Sequence, residues 1–170
     1  MSYLNFKSKY DKFPKTKIEG HHAICGYVNI AKTLLEKVEN DTIIVLDYYP
    51  GVDEEEVKTL VDLLHADHVI ESFDVFKDGK TITEQMKYHL TDDRVFGKMY
   101  YGDFVDFMDE EKLKQAQEDV KNYKGLTVIC GVAASLIHEG DIQVYFDMAR
   151  WEIQLRYRAG MPNYKAENND

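Results

Sequence analysis

Between an apolar run, TIIVL (42–46), and an amphipathic one, KTLVDLL (58–64), stands DYYPGVDEEEV (47–57). A strand, a turn on Pro50-Gly51 and a helix form the layout in which many proteins grip phosphate. The first N–H groups of a helix have no intrahelical partner, and its dipole is positive at that end. A P-loop adds a Lys for the outer phosphates and a Ser/Thr hydroxyl for magnesium. This turn carries Asp53, Glu54, Glu55 and Glu56 instead. Asp53 can accept from the free N–H groups itself, and Glu56 three residues later completes a capping-box pattern. A phosphate placed there would meet each carboxylate at about 4–6 Å, a repulsion on the order of 1 kcal/mol per pair even in water. Four such charges outweigh one helix end. The stretch predicts a self-capped helix, with its first-turn acids in solvent rather than holding a divalent cation.

A second group lies near the end of the sequence. Arg150, Gln154 and Arg158 fall four apart with Arg156 beside them, while Met148, Trp151 and Leu155 form an apolar face. Arginines so arranged grip phosphates or carboxylates. The competing reading pairs them with local acids such as Asp141 and Asp147. A third group is TDDRVFGKMYYGD (91–103), where Asp92, Asp93 and Asp103 bracket Arg94 and Lys98 beside Tyr100 and Tyr101. Charge and rings at this density in a loop can line a pocket, or Arg94 can simply pair with its neighbours.

Weaker signals resolve to ordinary structure. His21, His22 and Cys25 lack the further ligands that zinc requires, and His65 and His68 straddle a helix end. There is no G-x-S-x-G elbow, and neither Cys25 nor Cys130 has an adjacent base or cation to activate a thiolate. No catalytic residue and no metal ligand is assigned in this chain.

The elements that must position these groups alternate between helix and strand. Residues 27–40 place Val28, Ile30, Ala31, Leu34, Leu35 and Val38 at helical spacing. Residues 42–47 read as a strand covered on both faces of a parallel sheet. A helix over 53–66 follows, then a strand and loop over 67–79. Thr81 and Glu84 make a capping-box signature for a helix over 81–90. Residues 91–107 read as loop with short elements. Asp109 caps a helix that Lys121, Lys124 and Gly125 close, two buried strands cover 126–132 and 142–147, and a last helix covers 148–160. Residues 15–20 read as a short edge strand. The expected fold is a three-layer α/β domain with a mostly parallel sheet of four or five strands flanked by helices.

The 170 residues suit one domain at 21–162, preceded by a basic arm (1–20) and followed by a polar tail (163–170) of the kind that leads into a further domain. Over residues 1–17 of the arm, five lysines face only Asp11, and Tyr3, Phe6, Tyr10 and Phe13 are spaced to anchor it on the acidic domain. The formal charge of -10 repels a phosphate backbone, which argues against nucleic acid as partner. No stretch is apolar enough to cross a bilayer. Two cysteines amid apolar neighbours predict buried, inert thiols in a reducing, cytoplasmic setting.

Two resemblances follow from these segments. The order of elements resembles a nucleoside-kinase-like (uridine-kinase-like) P-loop fold with a degenerate P-loop. TIIVLDYYPGVDEEEV would stand at strand, loop and helix. HVIESFDVFKD would bring Asp74 to the family's general-base position, and residues 126–160 would supply a lid helix with Arg150, Arg156 and Arg158. The Lys and hydroxyl that position phosphates are absent, which implies a kinase-like domain without the activity. More closely, DYYPGVDEEEV, LTDDRVFGKMYYGDF and DMARWEIQLRYRAGMPNYK resemble the N-terminal region ahead of the cupin domain in some long bacterial class I mannose-6-phosphate isomerases. That resemblance implies a zinc site in the cupin domain, outside this chain, and no cofactor here. It also implies an accessory role in carbohydrate metabolism, regulatory or ligand-sensing, with a sugar phosphate or nucleotide as ligand and a downstream cupin domain as partner. An atypical nucleoside or sugar phosphotransferase, with Asp74 as base, is the alternative. A protein-interaction module that self-associates is the other. Candidate ligand contacts are Arg94, Tyr101, Asp74, Arg150, Arg156 and Arg158.

Overall fold

The computed structural model describes residues 10, 11, 14–92 and 97–165. The run at 42–47 becomes β1 (Ile43–Tyr48), whose Ile44, Val45 and Leu46 are almost inaccessible to solvent. It is paired along both edges, to β3 (Thr127–Val132) from Ile43↔Thr127 to Tyr48↔Val132, and to β4 (Ile142–Phe146) from Ile44↔Ile142 to Tyr48↔Phe146. Beyond β3 lies β2 (His68–Glu71), running from His68↔Thr127 to Glu71↔Cys130. The sheet is four-stranded and wholly parallel, in the order β2-β3-β1-β4. Helices flank it, giving the expected three-layer α/β fold.

Helix α1 (Tyr27–Leu35) packs on α2 (Glu54–Leu64), which buries Val57, Leu60 and Leu64 at helical spacing. The α2 cap is as predicted in kind: the Asp53 carboxylate accepts from the Glu55 N–H at 3.0 Å. A single turn, α3 (Ser72–Val75), follows β2 at once, and its Ser72 hydroxyl donates to the Val132 carbonyl at 2.8 Å. Helix α4 (Gly79–Met86) precedes the irregular segment, of which Phe104–Phe107 form a 3-10 turn. Asp109 caps α5 (Glu110–Asn122) through the N–H groups of Glu111 and Lys112. The last helix, α6 (Arg150–Arg158), follows β4.

Three expectations are corrected. Helix α4 is capped by Asp78 rather than by Thr81. The Asp78 carboxylate accepts from the N–H groups of Lys80 and Thr81 and from the Thr81 hydroxyl. An aspartate with two acceptor oxygens meets three donors at once, so the helix starts a turn earlier. Residues 15–20 form no strand: Ile18, their one large apolar side chain, stays exposed, and no burial drives pairing. Cys25 is exposed, because it lies ahead of the first packed helix, whereas Cys130 in β3 is buried. In the basic arm, Tyr10 is exposed and shows no anchoring by burial, while Tyr3, Phe6 and Phe13 lie outside the described residues.

The difference between the thiols is measurable. Burial pushes the Cys130 thiol up to about 12. A thiol reagent at mildly alkaline pH is expected to label one cysteine in the native protein and two after denaturation; two native equivalents would contradict the packing of β3. The backbone gives a second check. Gly131 has a φ of 134°, and a Cβ there would strike the buried Ser72 hydroxyl, whereas one at Gly160 (φ 98°) meets nothing. Gly131→Ala is expected to cost about 2–4 kcal/mol in urea unfolding, and Gly160→Ala about 1 kcal/mol.

Candidate functional site

The chain leaving β1 passes β3 to reach β2, and the chain leaving β3 passes β1 to reach β4. The connections therefore part in opposite directions at the β1–β3 border. In open parallel sheets, the crevice outside the carboxyl ends at such a point is where ligands bind. Two adjoining hollows lie there, sharing Glu54, Glu55 and Phe73 in their walls. The inner one, about 330 Å³, is floored by Tyr48 and Cys130 and walled by Glu71 and α2. The outer one, about 680 Å³, runs under the segment Met161–Lys165 and meets Asp78 and Tyr157.

The sheet's alternation explains the inner hollow. Tyr48, Cys130 and Glu71 project from the same face, since Tyr48 stands two residues beyond Leu46, which is paired with Cys130, and Cys130 is paired with Glu71. Burial raises the Tyr48 hydroxyl above its ordinary range, helped by the charge of Glu54. The Glu54 carboxyl is likewise raised, first by burial and then by the charges of Glu71, Asp53 and Glu55. Among the described residues, neither Glu54 nor Glu71 forms an ion pair.

Above the outer hollow the chain after α6 folds back onto the domain. Tyr164 meets Phe73 and Phe76 edge-on, with ring centroids 5.6 and 5.2 Å apart. Its hydroxyl is buried near Ser72 without a hydrogen bond of accepted geometry, and desolvation raises its pKa. Lys165, in the left-handed region at φ 57°, sets its ammonium 3.5 Å from the centre of the Phe73 ring. Desolvation lowers the pKa of that ammonium, against the opposing pull of Asp74.

The turn that resembles a P-loop is covered. Arg156 Nη1 donates to the Gly51 carbonyl at 3.2 Å, and Arg156 Nε pairs with Glu152 at 3.3 Å. Ile153 lies so close over Gly51 that an added Cβ would come within 2.9 Å of it. The Val52 N–H is spent on the Tyr49 carbonyl at 3.1 Å, and Asp53 holds the start of α2. On the other side of β1, the Asp47 carboxylate accepts from both the N–H and the hydroxyl of Ser135, so it caps the 3-10 turn after β3.

The predicted ligand contacts have different surroundings. Arg156 alone reaches the turn, where it grips a peptide carbonyl. Arg150 is exposed at the start of α6, and the Arg158 guanidinium lies 5.5 Å over the Trp151 ring. Asp74 is exposed on α3, and Tyr101 is 90% exposed. Arg94 lies outside the described residues. Among the described residues, no group of three or more His, Cys, Asp or Glu side chains is placed to hold a metal ion. Sequence reasoning missed Glu71, Phe73 and Tyr164. Glu71 ends a strand that otherwise reads as apolar, which is the available signal for a carboxylate at the sheet's carboxyl edge. Tyr164 carries no periodicity that would have tied it to a core.

No curated protein and no solved structure matches this chain. A family model described as a domain of unknown function, DUF8485, matches residues 26–170, which takes in every strand and helix described above. The chain belongs to the DUF8485 family.

Proposed function

We propose that this chain is a non-catalytic accessory domain, kinase-like in layout, which senses or packs against a ligand within a mannose-6-phosphate isomerase-like protein of carbohydrate metabolism. One observation carries the reading: α6 is seated on the turn after β1, with Arg156 on the Gly51 carbonyl and Ile153 over the Gly51 Cα. A nucleotide's phosphates would need that space. They would also need the Glu55 N–H at the start of α2, which the Asp53 carboxylate has engaged. The surrounding charge supports the same reading. Asp53, Glu54, Glu55 and Glu71 line the crevice against Lys58 and Lys165, so an anion entering it meets net repulsion.

The phosphotransferase alternative needs Asp74, Arg150, Arg156 and Arg158 around one substrate, whereas Arg156 is engaged by Gly51 and Glu152 and Arg158 lies against Trp151. We place the protein in the cytoplasm, a reading supported by its two free cysteines. No helix among the described residues is long and apolar enough to cross a membrane.

Calorimetry with millimolar ATP and magnesium is expected to show no saturable heat, and isomerase assays with added zinc no turnover. Saturable, magnesium-dependent ATP binding would overturn the reading. The crevice charge has its own signature in stability. Glu54's folded pKa is raised, so its contribution to stability is present below the unfolded-state pKa and lost as pH rises through the folded-state value. Glu54→Gln, which imitates the protonated group, is therefore expected to raise the thermal midpoint at neutral pH. The gain should disappear below about pH 4. An equal gain at both ends of that range would refute the electrostatic cause.

A further inference from the structure

We infer that the inner hollow is a binding site for the ammonium group of a small organic amine. The inference deepens the ligand-sensing reading above and rests on it. The hollow has the volume of a small-ligand site and stands where the topology opens the sheet. Its walls combine two kinds of group that hold an alkylammonium together. Glu54 and Glu71 offer carboxylates with no ion-pair partner among the described residues. Tyr48 and Phe73 offer ring surfaces, and rings attract a cation through their electron-rich faces. Lys58 stands at the wall on α2 and offsets one carboxylate, leaving Glu54, Glu55 and Glu71 in excess of it.

A separate observation points to the same chemistry. Phe73 already carries an alkylammonium: the side chain of Lys165 lies 3.5 Å from the ring centre on the side of the outer hollow. The domain thus shows, with one of its own residues, the contact that an amine in the inner hollow would make with this ring. The same chemistry argues against three other small-ligand classes. An anion is repelled by the carboxylates. A metal ion lacks a third ligand of the His, Cys, Asp or Glu type among the described residues. A neutral apolar molecule would leave Glu54 desolvated with nothing to compensate its charge. An ammonium compensates that charge, and its alkyl chain can lie against Val57 and Val61.

The probe is n-butylammonium chloride, the lysine side chain without its backbone, compared with equal concentrations of sodium chloride and of n-butanol as neutral analogue. At about ten times its dissociation constant, the amine is expected to raise the thermal midpoint by about 3–5 °C over salt, saturably. Butanol should give no such rise. Glu54→Gln and Glu71→Gln should each reduce the amine's shift, and together abolish it. Glu118→Gln, on α5, should leave it whole. Circular dichroism of each variant checks that it is folded, and both carboxylates are exposed enough for replacement to be tolerated. Absence of a saturable rise, an equal rise with butanol, or a full rise in the double variant each overturns the proposal. The two readings fail separately. ATP binding sinks the non-catalytic assignment and leaves the amine response standing, whereas a silent amine titration removes this site alone.

Discussion

Strand β1 is hydrogen-bonded along both edges and buried on both faces, and the position of everything else follows from that. Its pairs to β3 and β4 run in step to Tyr48, so the chain must turn at residues 49–52. That turn fixes where α2 begins and where the crevice opens. A one-residue slip would exchange Leu46 for Asp47 on the face that carries Cys130 and Glu71, setting a carboxylate among apolar side chains. Asp47 is instead on the opposite side, where Ser135 meets it with two donors. Its hydrogen bonds and the burial of Ile44 and Leu46 therefore specify the same register.

The start of α2 presents one physical problem, unpaired N–H groups at the positive end of a helix, and the protein solves it internally. A nucleotide-binding turn leaves those donors for phosphate oxygens. Here the Asp53 carboxylate engages the Glu55 N–H, and the neighbouring carboxylates set a negative field in the space a phosphate would fill. Helix α6 is seated on the same turn through Arg156 and Ile153. Arg156 illustrates the reversal. A guanidinium that would grip a phosphate in a lid instead grips a carbonyl of the turn.

The strands and the long helices were legible because each is written in local pattern: β-branched apolar runs for β1 and β3, helical spacing for α2, and an aspartate followed by acids for α5. The α4 boundary was misplaced because the Thr81–Glu84 pattern is real in sequence, yet a stronger acceptor stood three residues earlier. The candidate site was far less legible. The arginines of α6 are prominent as residue types, but only Arg156 has a partner on the turn. Whether the others converge is decided by the helix's rotation against the sheet, which no local pattern encodes. Glu71, Phe73 and Tyr164 are brought together by a parallel register and by the return of the chain after Gly160. Both are long-range facts. Cys25 was read as buried from its apolar neighbours, and composition cannot tell a packed apolar stretch from one ahead of the first helix.

The crevice is the place where fold and electrostatics disagree, and the disagreement is informative. The strand order opens a crevice at the β1–β3 border whatever side chains line it. Glu54 and Glu71 both line it while staying exposed, and partial desolvation raises the Glu54 carboxyl. A positive charge beside them offsets that desolvation. Lys58 meets part of that need and Lys165 is committed to Phe73. The balance of charge left in the hollow is negative, which favours a cationic ligand over an anionic one.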